Sequence, residues 1–400
     1  MSRALRHFLS LVCLLCLPGL PAIAFAADAR APAGSVASIR VDFNSKGITR
    51  VQAAGPADKA TGRALTGNDP VRIASISKLV VALGVMRLVE QGTLSLDEDV
   101  SRYLGWRLRH PAFADVPITL RLLLSHRSGL TDAAGYVASL DTRTEEQVAV
   151  PLAWDAAHAP GTYFRYTNLN FPVVASAMER VSGERFDRLM QRLVLAPLGL
   201  SACFNWASCE DARIARAVVL YEADGSVSND DLHGLRPPCP VLPAKDGSCE
   251  LARVVPGENG GLFSPQGGLR ITAAELARIG RVLLNGGELD GQRFLSRESI
   301  AEMTRPQWIY DGRNGETYEA DTGDPGAAFF CRYGLAVQTL ASRYETCRDD
   351  PFGDGRPRTG HAGDAYGLVS GLWIDASAQR GVAFFVTGND PTQRGSRSAF

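Results

Sequence analysis

Between Ser75 and Gln91 the chain sets Ile76, Leu79, Val80, Leu83, Val85, Met86, Leu88 and Val89 at helical spacing, and Gly92 follows as a stop. Apolar side chains fall on nearly every face of that helix, so no face is left for water. Such a helix lies in the middle of a fold, and the rest of the chain must cover it from several sides. One residue breaks the pattern. Lys78 stands among the apolar positions near the helix start, although of 42 basic residues only Lys46, Lys59, Lys78 and Lys245 are lysines. Guanidinium does not give up its proton in a protein, whereas a desolvated amine can be neutral near pH 7. A Lys kept in an apolar helix therefore points to proton transfer. Ser75 lies three residues earlier, one turn along the same face, which puts a hydroxyl nucleophile within reach of a base.

The cover for this helix is legible at both ends of the chain. Val36–Phe43 alternates apolar and polar residues, Asn44–Gly47 is a turn, and Ile48–Ala54 is predicted as the return strand. Tyr333–Leu340, Gly367–Asp375 and Gly381–Thr387 are predicted strands, the last two forming a hairpin around Ala376–Arg380. Between these ends the punctuation is helical. Thr119 caps Leu120–Ser125, and Phe171, Val174, Met178 and Val181 precede Gly183. Phe186 to Leu193 runs to Pro197, Thr272 and Glu275 make a capping box for a helix through Leu284, and Ser296 caps another. Residues 203–260, rich in Pro, Gly, Cys and Asp, are expected as irregular loops. The implied class is α/β in the α+β sense. One antiparallel sheet is built from both chain ends and flanked by helices (27–95 and 255–400), with a mainly helical lobe (96–254) inserted.

Arg3, Arg6 and His7, the apolar run Phe8–Leu17 and Ala24-Phe25-Ala26 have the form of a signal peptide over residues 1–26. The run is too short to span a membrane, so no stable membrane insertion is expected. Without Arg3 and Arg6 the basic count falls from 42 to 40 against 43 acidic residues, so no basic surplus recruits nucleic acid. Cys203, Cys209, Cys239, Cys249, Cys331 and Cys347 remain after Cys13 and Cys16 leave. An even number in an exported chain suggests disulfides. Nearest-neighbour pairing closes the shortest loops and is the expectation. No Cys-x-x-Cys or His-Glu-x-x-His occurs, so neither a metal nor another cofactor is expected.

Two further motifs stand with Ser75 and Lys78. Tyr166-Thr167-Asn168 is the only Tyr-x-Asn and His361-Ala362-Gly363 the only His-x-Gly. Alone, each has a plain structural reading: a capping Asn after a core Tyr, and a turn His beside glycine. His126 is read as a structural histidine, and the acidic run Asp349–Asp354 as a solvated loop.

With these motifs in this order the mature chain resembles the serine β-lactamase and penicillin-binding protein family, on the branch of class C β-lactamases, D-stereospecific peptidases and esterases. Arg72-Ile-Ala-Ser-Ile-Ser-Lys78, Leu123-Leu-Ser-His-Arg-Ser-Gly-Leu130, Pro160–Asn168, Gly260-Gly-Leu-Phe-Ser264 and Leu283-Leu-Asn-Gly-Gly-Glu-Leu289 carry the likeness. The resemblance implies Ser75 as the acylated nucleophile. Lys78 and Tyr166 share the proton relay, with either as the acylation base. Asn168 holds the relay and the substrate amide. His361 and Gly363 flank substrate on an edge strand, and the backbone N–H groups of Ser75 and Asp364 form the oxyanion hole. The substrate is a small molecule and the protein a monomer.

Two departures stand out. His361 occupies the place of the Lys in the family's Lys-Thr-Gly, which draws a substrate carboxylate. Only Asn389–Phe400 remains where a closing helix is usual, and Arg394 in that tail is a second candidate for carboxylate recognition. The expectation is a periplasmic or secreted β-lactamase. The alternatives are a D-amino-acid peptidase, DD-carboxypeptidase or carboxylesterase on the same machinery, and a penicillin-binding sensor that acylates without turnover.

Overall fold

The computed structural model describes residues 34–318, 329–342, 347 and 349–389. The signal segment 1–26 and Arg394 lie outside the described residues. The main sheet has eight strands: β1 (Ala37–Asn44), β2 (Ile48–Ala54), β3 (Trp308–Ile309), β4 (Arg332–Tyr333), β5 (Gln338–Leu340), β6 (Arg358–Ala365), β7 (Leu368–Asp375) and β8 (Arg380–Thr387). Their order is β3-β4-β5-β6-β7-β8-β1-β2, every neighbouring pair antiparallel. β1 pairs with β8 from Ala37↔Thr387 to Asn44↔Arg380, so the first and last strands of the sheet close on each other.

Three helices position the site. α1 (Ile76–Glu90) is the apolar helix, and its residues from Ile76 to Met86, Lys78 among them, are all buried. It touches β6 and β7 on one side and, on others, α2 (Asn170–Ser182), the π-helical turn Gln191–Leu195 and the helix Arg297–Thr304. α2 ends at Gly183 in the left-handed conformation, φ +69°. α3 (Ala273–Leu284) opens with the Thr272–Glu275 capping box and lies on β1, β7 and β8. Gly280 makes that contact close, since a Cβ there would stand 2.3 Å from the Phe43 ring of β1. Thr119 and Ser296 cap their short helices as the sequence implies.

Three readings change. Tyr333–Leu340 is two strands, because the chain reverses over Gly334–Val337, where Gly334 N–H bonds Val337 O at 2.7 Å and Ala336 has φ +51°. β6 is a full strand inside the sheet rather than at its edge, although its ladder with β5 covers only Arg358–Gly360. Asp349 of the acidic run is buried and accepts from Ser342, while Asp354 stays exposed beside Arg358. Residues 203–260 are irregular apart from short pieces such as Cys203–Phe204 and Leu220–Tyr221. Cys203–Cys209, Cys239–Cys249 and Cys331–Cys347 are bonded, the nearest-neighbour pairing.

Candidate active site

Ser75 caps the N-terminus of α1, preceded by Ala74 in the left-handed region at φ +48°. Only glycine occupies that region freely, so the turn that presents Ser75 is strained by the order of 1 kcal/mol. Lys78, 0% exposed, reaches back one turn and contacts three oxygens: Ser75 Oγ at 2.9 Å, Asn168 Oδ1 at 2.7 Å and Gln266 O at 2.9 Å. Two of those oxygens can only accept. A neutral Lys78 therefore spends both N–H bonds on Asn168 and Gln266 and leaves its lone pair to receive the Ser75 hydroxyl hydrogen. The ammonium form donates all three bonds. The site thus accommodates the amine before and after it takes the proton.

The Asn168 amide is held the right way round by a residue the motifs did not single out. Asp132 Oδ2 accepts from the Asn168 backbone N–H at 2.8 Å and from its Nδ2 at 2.9 Å, and Oδ1 accepts from Leu169 N–H at 2.9 Å. A carboxylate only accepts, so the NH₂ faces Asp132 and Oδ1 faces Lys78. Burial pushes the Asp132 carboxyl up from its ordinary range, against the pull of the Asn168 and Leu169 N–H groups and Lys78. The sequence signal was a Thr-Asp pair following Ser-Gly-Leu in a loop. Without a partner in view, that pair looks like an ordinary helix cap.

Tyr166 lies with its ring 4.9 Å from Lys78 Nζ. It is sandwiched between Phe330 (4.7 Å, 11°) and His126 (4.4 Å, 28°). His126 is buried, and its Nδ1 accepts from Thr167 N–H at 3.0 Å. Burial, with Lys78 and His361 nearby, holds its pKa well below the ordinary value, so the ring is neutral. His126 is thus packed inside the fold, stacked on the ring of Tyr166.

β6 brings the third motif to the nucleophile. A Cβ on Gly363 would stand 2.3 Å from Ile73 O, 2.4 Å from Ser370 Oγ and 3.2 Å from Ser75 N. Ser370 on β7 donates to Ile73 O at 2.9 Å and ties the sheet to the nucleophile turn. Asp364 follows Gly363 directly on β6. His361 sits differently from the expectation. Its ring is 1% exposed, Nδ1–H donates to Ala362 O, and Tyr333 OH lies 2.7 Å from Nε2. A neutral imidazole satisfies both contacts, and both ring nitrogens are engaged within the protein. Among the described residues no group of three or more His, Cys, Asp or Glu side chains is placed to hold a metal ion.

A hydroxyl, a buried amine and an amide oriented by a carboxylate thus meet at the start of α1, beside β6 of the antiparallel sheet. A model of the family described as Beta-lactamase matches residues 31–399, and the chain belongs to that family. Its relatives include an esterase and a carboxypeptidase/endopeptidase. Esterase EstB of Burkholderia gladioli is 32% identical over 183 residues, 41% of this chain and 45% of that protein. D-alanyl-D-alanine-carboxypeptidase/endopeptidase AmpH of Escherichia coli (strain K12) is 33% identical over 135 residues, 32% of this chain and 35% of that protein. The matched stretches thus span less than half the length of either relative. The structure of D-amino acid amidase from Ochrobactrum anthropi SV3 shares the fold, with a TM-score of 0.64 at 20% identity over 92% of this chain and 90% of that one.

Proposed function

We propose that this chain is an exported serine hydrolase that cleaves an ester or amide of a small molecule through an acyl-enzyme at Ser75. The observation that carries the proposal is Lys78 Nζ within 2.9 Å of Ser75 Oγ, with its other contacts on oxygens that can only accept. Ser75 Oγ attacks the carbonyl carbon while its proton passes to Lys78, or through Lys78 to Tyr166. The carbonyl oxygen takes the negative charge between the N–H groups of Ser75 and Asp364. Each such donor is worth about 3–4 kcal/mol. The relay returns the proton to the leaving group, and water then attacks the acyl carbon by the same route. The three disulfides support an oxidising compartment. Among the described residues no helix is long and apolar enough to cross a membrane.

The setting of His361 favours esters without a carboxylate on the leaving side over β-lactams. The family's cationic side chain at this place draws a carboxylate, and here the ring is turned into contacts with Tyr333 and Ala362. Intact-protein mass spectrometry over time, with a short acyl ester, a D-peptide and a β-lactam, tests the proposal. An adduct on Ser75 that appears and decays with the ester or D-peptide, and is absent from Ser75→Ala, is the expected result. A lasting β-lactam adduct with no ester or peptide turnover supports the sensor reading. A fast-clearing β-lactam adduct supports a β-lactamase. No adduct from any probe rejects Ser75 as nucleophile.

A further inference from the structure

A second cation, Arg72, stands three residues before Ser75. Arg72 lies on the short strand Val71–Arg72, which pairs antiparallel with Leu269–Ile271, and its directly opposite partner is Arg270. Like charges placed opposite each other repel. Asp230 attracts both, but of the two it is hydrogen-bonded only to Arg270. It takes Arg270 through Nη2 at 2.8 Å and Nε at 3.3 Å, and Trp206 Nε1 donates to it at 2.9 Å. Arg72 Nε donates to Gly267 O at 3.0 Å, and among the described residues no carboxylate is paired with its guanidinium. Two guanidinium groups and one carboxylate leave one positive charge uncompensated. Burial first, then the Arg270 charge, push the Arg72 pKa down to about 10 against the pull of Tyr366 and Asp230. The side chain is nevertheless partly exposed.

The position of Arg72 along the site follows from β6. His361, at the relay end, has its ring 6.2 Å from that of Tyr166. Gly363 faces Ser75. Tyr366, past the end of the strand, has its ring 4.6 Å from the Arg72 guanidinium. The relay protonates the leaving group, so the acyl group extends the other way, towards Tyr366 and Arg72. At ~3.3 Å per residue the strand carries Tyr366 about 10 Å beyond Gly363. Tyr366 sits at the first place of the tight β6–β7 turn with φ +57°, a conformation tyrosine seldom adopts and a two-residue turn normally gives to Asn, Asp or Gly. Tyr366 is 40% exposed, and its ring lies against the cation.

We propose that Arg72, walled by Tyr366, binds a carboxylate carried by the acyl part of the substrate, so that the enzyme prefers esters or amides of acidic acyl groups over uncharged ones of equal length. This rests on the acyl-enzyme reading at Ser75. The test compares kcat/KM for the p-nitrophenyl monoester of adipic acid with that for p-nitrophenyl hexanoate, in wild type, Arg72→Gln and Arg72→Lys. Wild type is expected to favour the anionic ester at least ~10-fold, as for a charge-assisted hydrogen bond. Arg72→Gln should remove the preference mainly through KM, and Arg72→Lys should restore part of it. Raising the salt concentration should shrink the wild-type ratio, which needs no variant to fold. A wild-type ratio at or below one, a ratio indifferent to salt, or an equal loss on both esters in Arg72→Gln overturns the inference. If wild type hydrolyses neither ester and Ser75 takes no label from a fluorophosphonate, the acyl-enzyme reading fails instead.

Discussion

Gly363 and Ser75 meet backbone to backbone: a Cβ on Gly363 would stand 3.2 Å from the Ser75 nitrogen and 2.3 Å from Ile73 O. The C-terminal sheet and the start of the buried helix are thereby held at a separation that only glycine permits. Gly363→Ala must push β6 away from the nucleophile turn. Overpacking of this kind costs about 1–3 kcal/mol of stability. The larger effect is expected on acylation, because the N–H groups of Ser75 and Asp364 part. Fluorophosphonate labelling of Ser75 should slow at least ~100-fold, the scale of one lost oxyanion donor. Labelling at the wild-type rate in a folded Gly363→Ala protein would remove the oxyanion role from the N–H groups of Ser75 and Asp364.

Lys78→Arg separates charge from proton transfer. Guanidinium keeps the positive charge but stays protonated, so it cannot receive the Ser75 hydrogen. Acylation should fall at least ~100-fold, the low end for general acid–base catalysis. The variant also has to seat a larger head where three oxygens lie within 2.9 Å of one nitrogen, so its melting temperature belongs beside the rate. Near-normal acylation by Lys78→Arg would pass the base role to Tyr166 alone.

Asp132→Asn leaves the relay residues in place and changes what orients them. The new amide offers one oxygen to a site where three N–H groups now find acceptors. Its NH₂ must then face a donor, and Asn168 is free to turn its own NH₂ towards Lys78. A hydrogen bond to a charged group is worth about 1.5–3 kcal/mol, so kcat should fall roughly 10- to 100-fold. KM for a small ester should move less, since Asp132 acts through Asn168. A pure loss of stability with kcat intact would make Asp132 a structural cap only.

The sequence made α1, the capping box at Thr272, the hairpin of β7 and β8 and the local disulfides legible, because each is written in contiguous residues. Ser75, Lys78, Tyr166 and Asn168 were legible as motifs, and the structure brings them together. Asp132 and Ser370 were not, because their importance lies in what they face across the fold. β6 was legible only through the family resemblance, and as an edge strand, because Arg358-Thr-Gly-His-Ala-Gly-Asp-Ala365 lacks apolar alternation; it is held by register with β7 over its length. The setting of His361 was misjudged for a related reason. Tyr333, which occupies its Nε2, comes from another strand two places away in the sheet.

His126 carries a dependence of stability on pH. Lys78, His361, Tyr166 and Tyr333 surround its ring, and burial first, then the neighbouring Lys78 and His361, hold its pKa well below the usual 6.5. Above about pH 6.5 the ring is neutral in folded and unfolded chains alike, and its contribution is fully present. As pH falls below that value the unfolded chain takes up a proton that the folded chain refuses, so stability is lost towards acid. One proton gives a slope of about 1.4 kcal/mol per pH unit. His126→Asn keeps a residue tolerant of the observed φ of +56° and removes the titration. Urea unfolding of both proteins at pH 7.5 and pH 5.5 isolates the effect, since every other histidine is common to the two. Wild type should lose about 1.4 kcal/mol more than the variant over that interval. Parallel losses in the two proteins would show that His126 takes its proton in the folded state, and that the ring stacked on Tyr166 is then a cation.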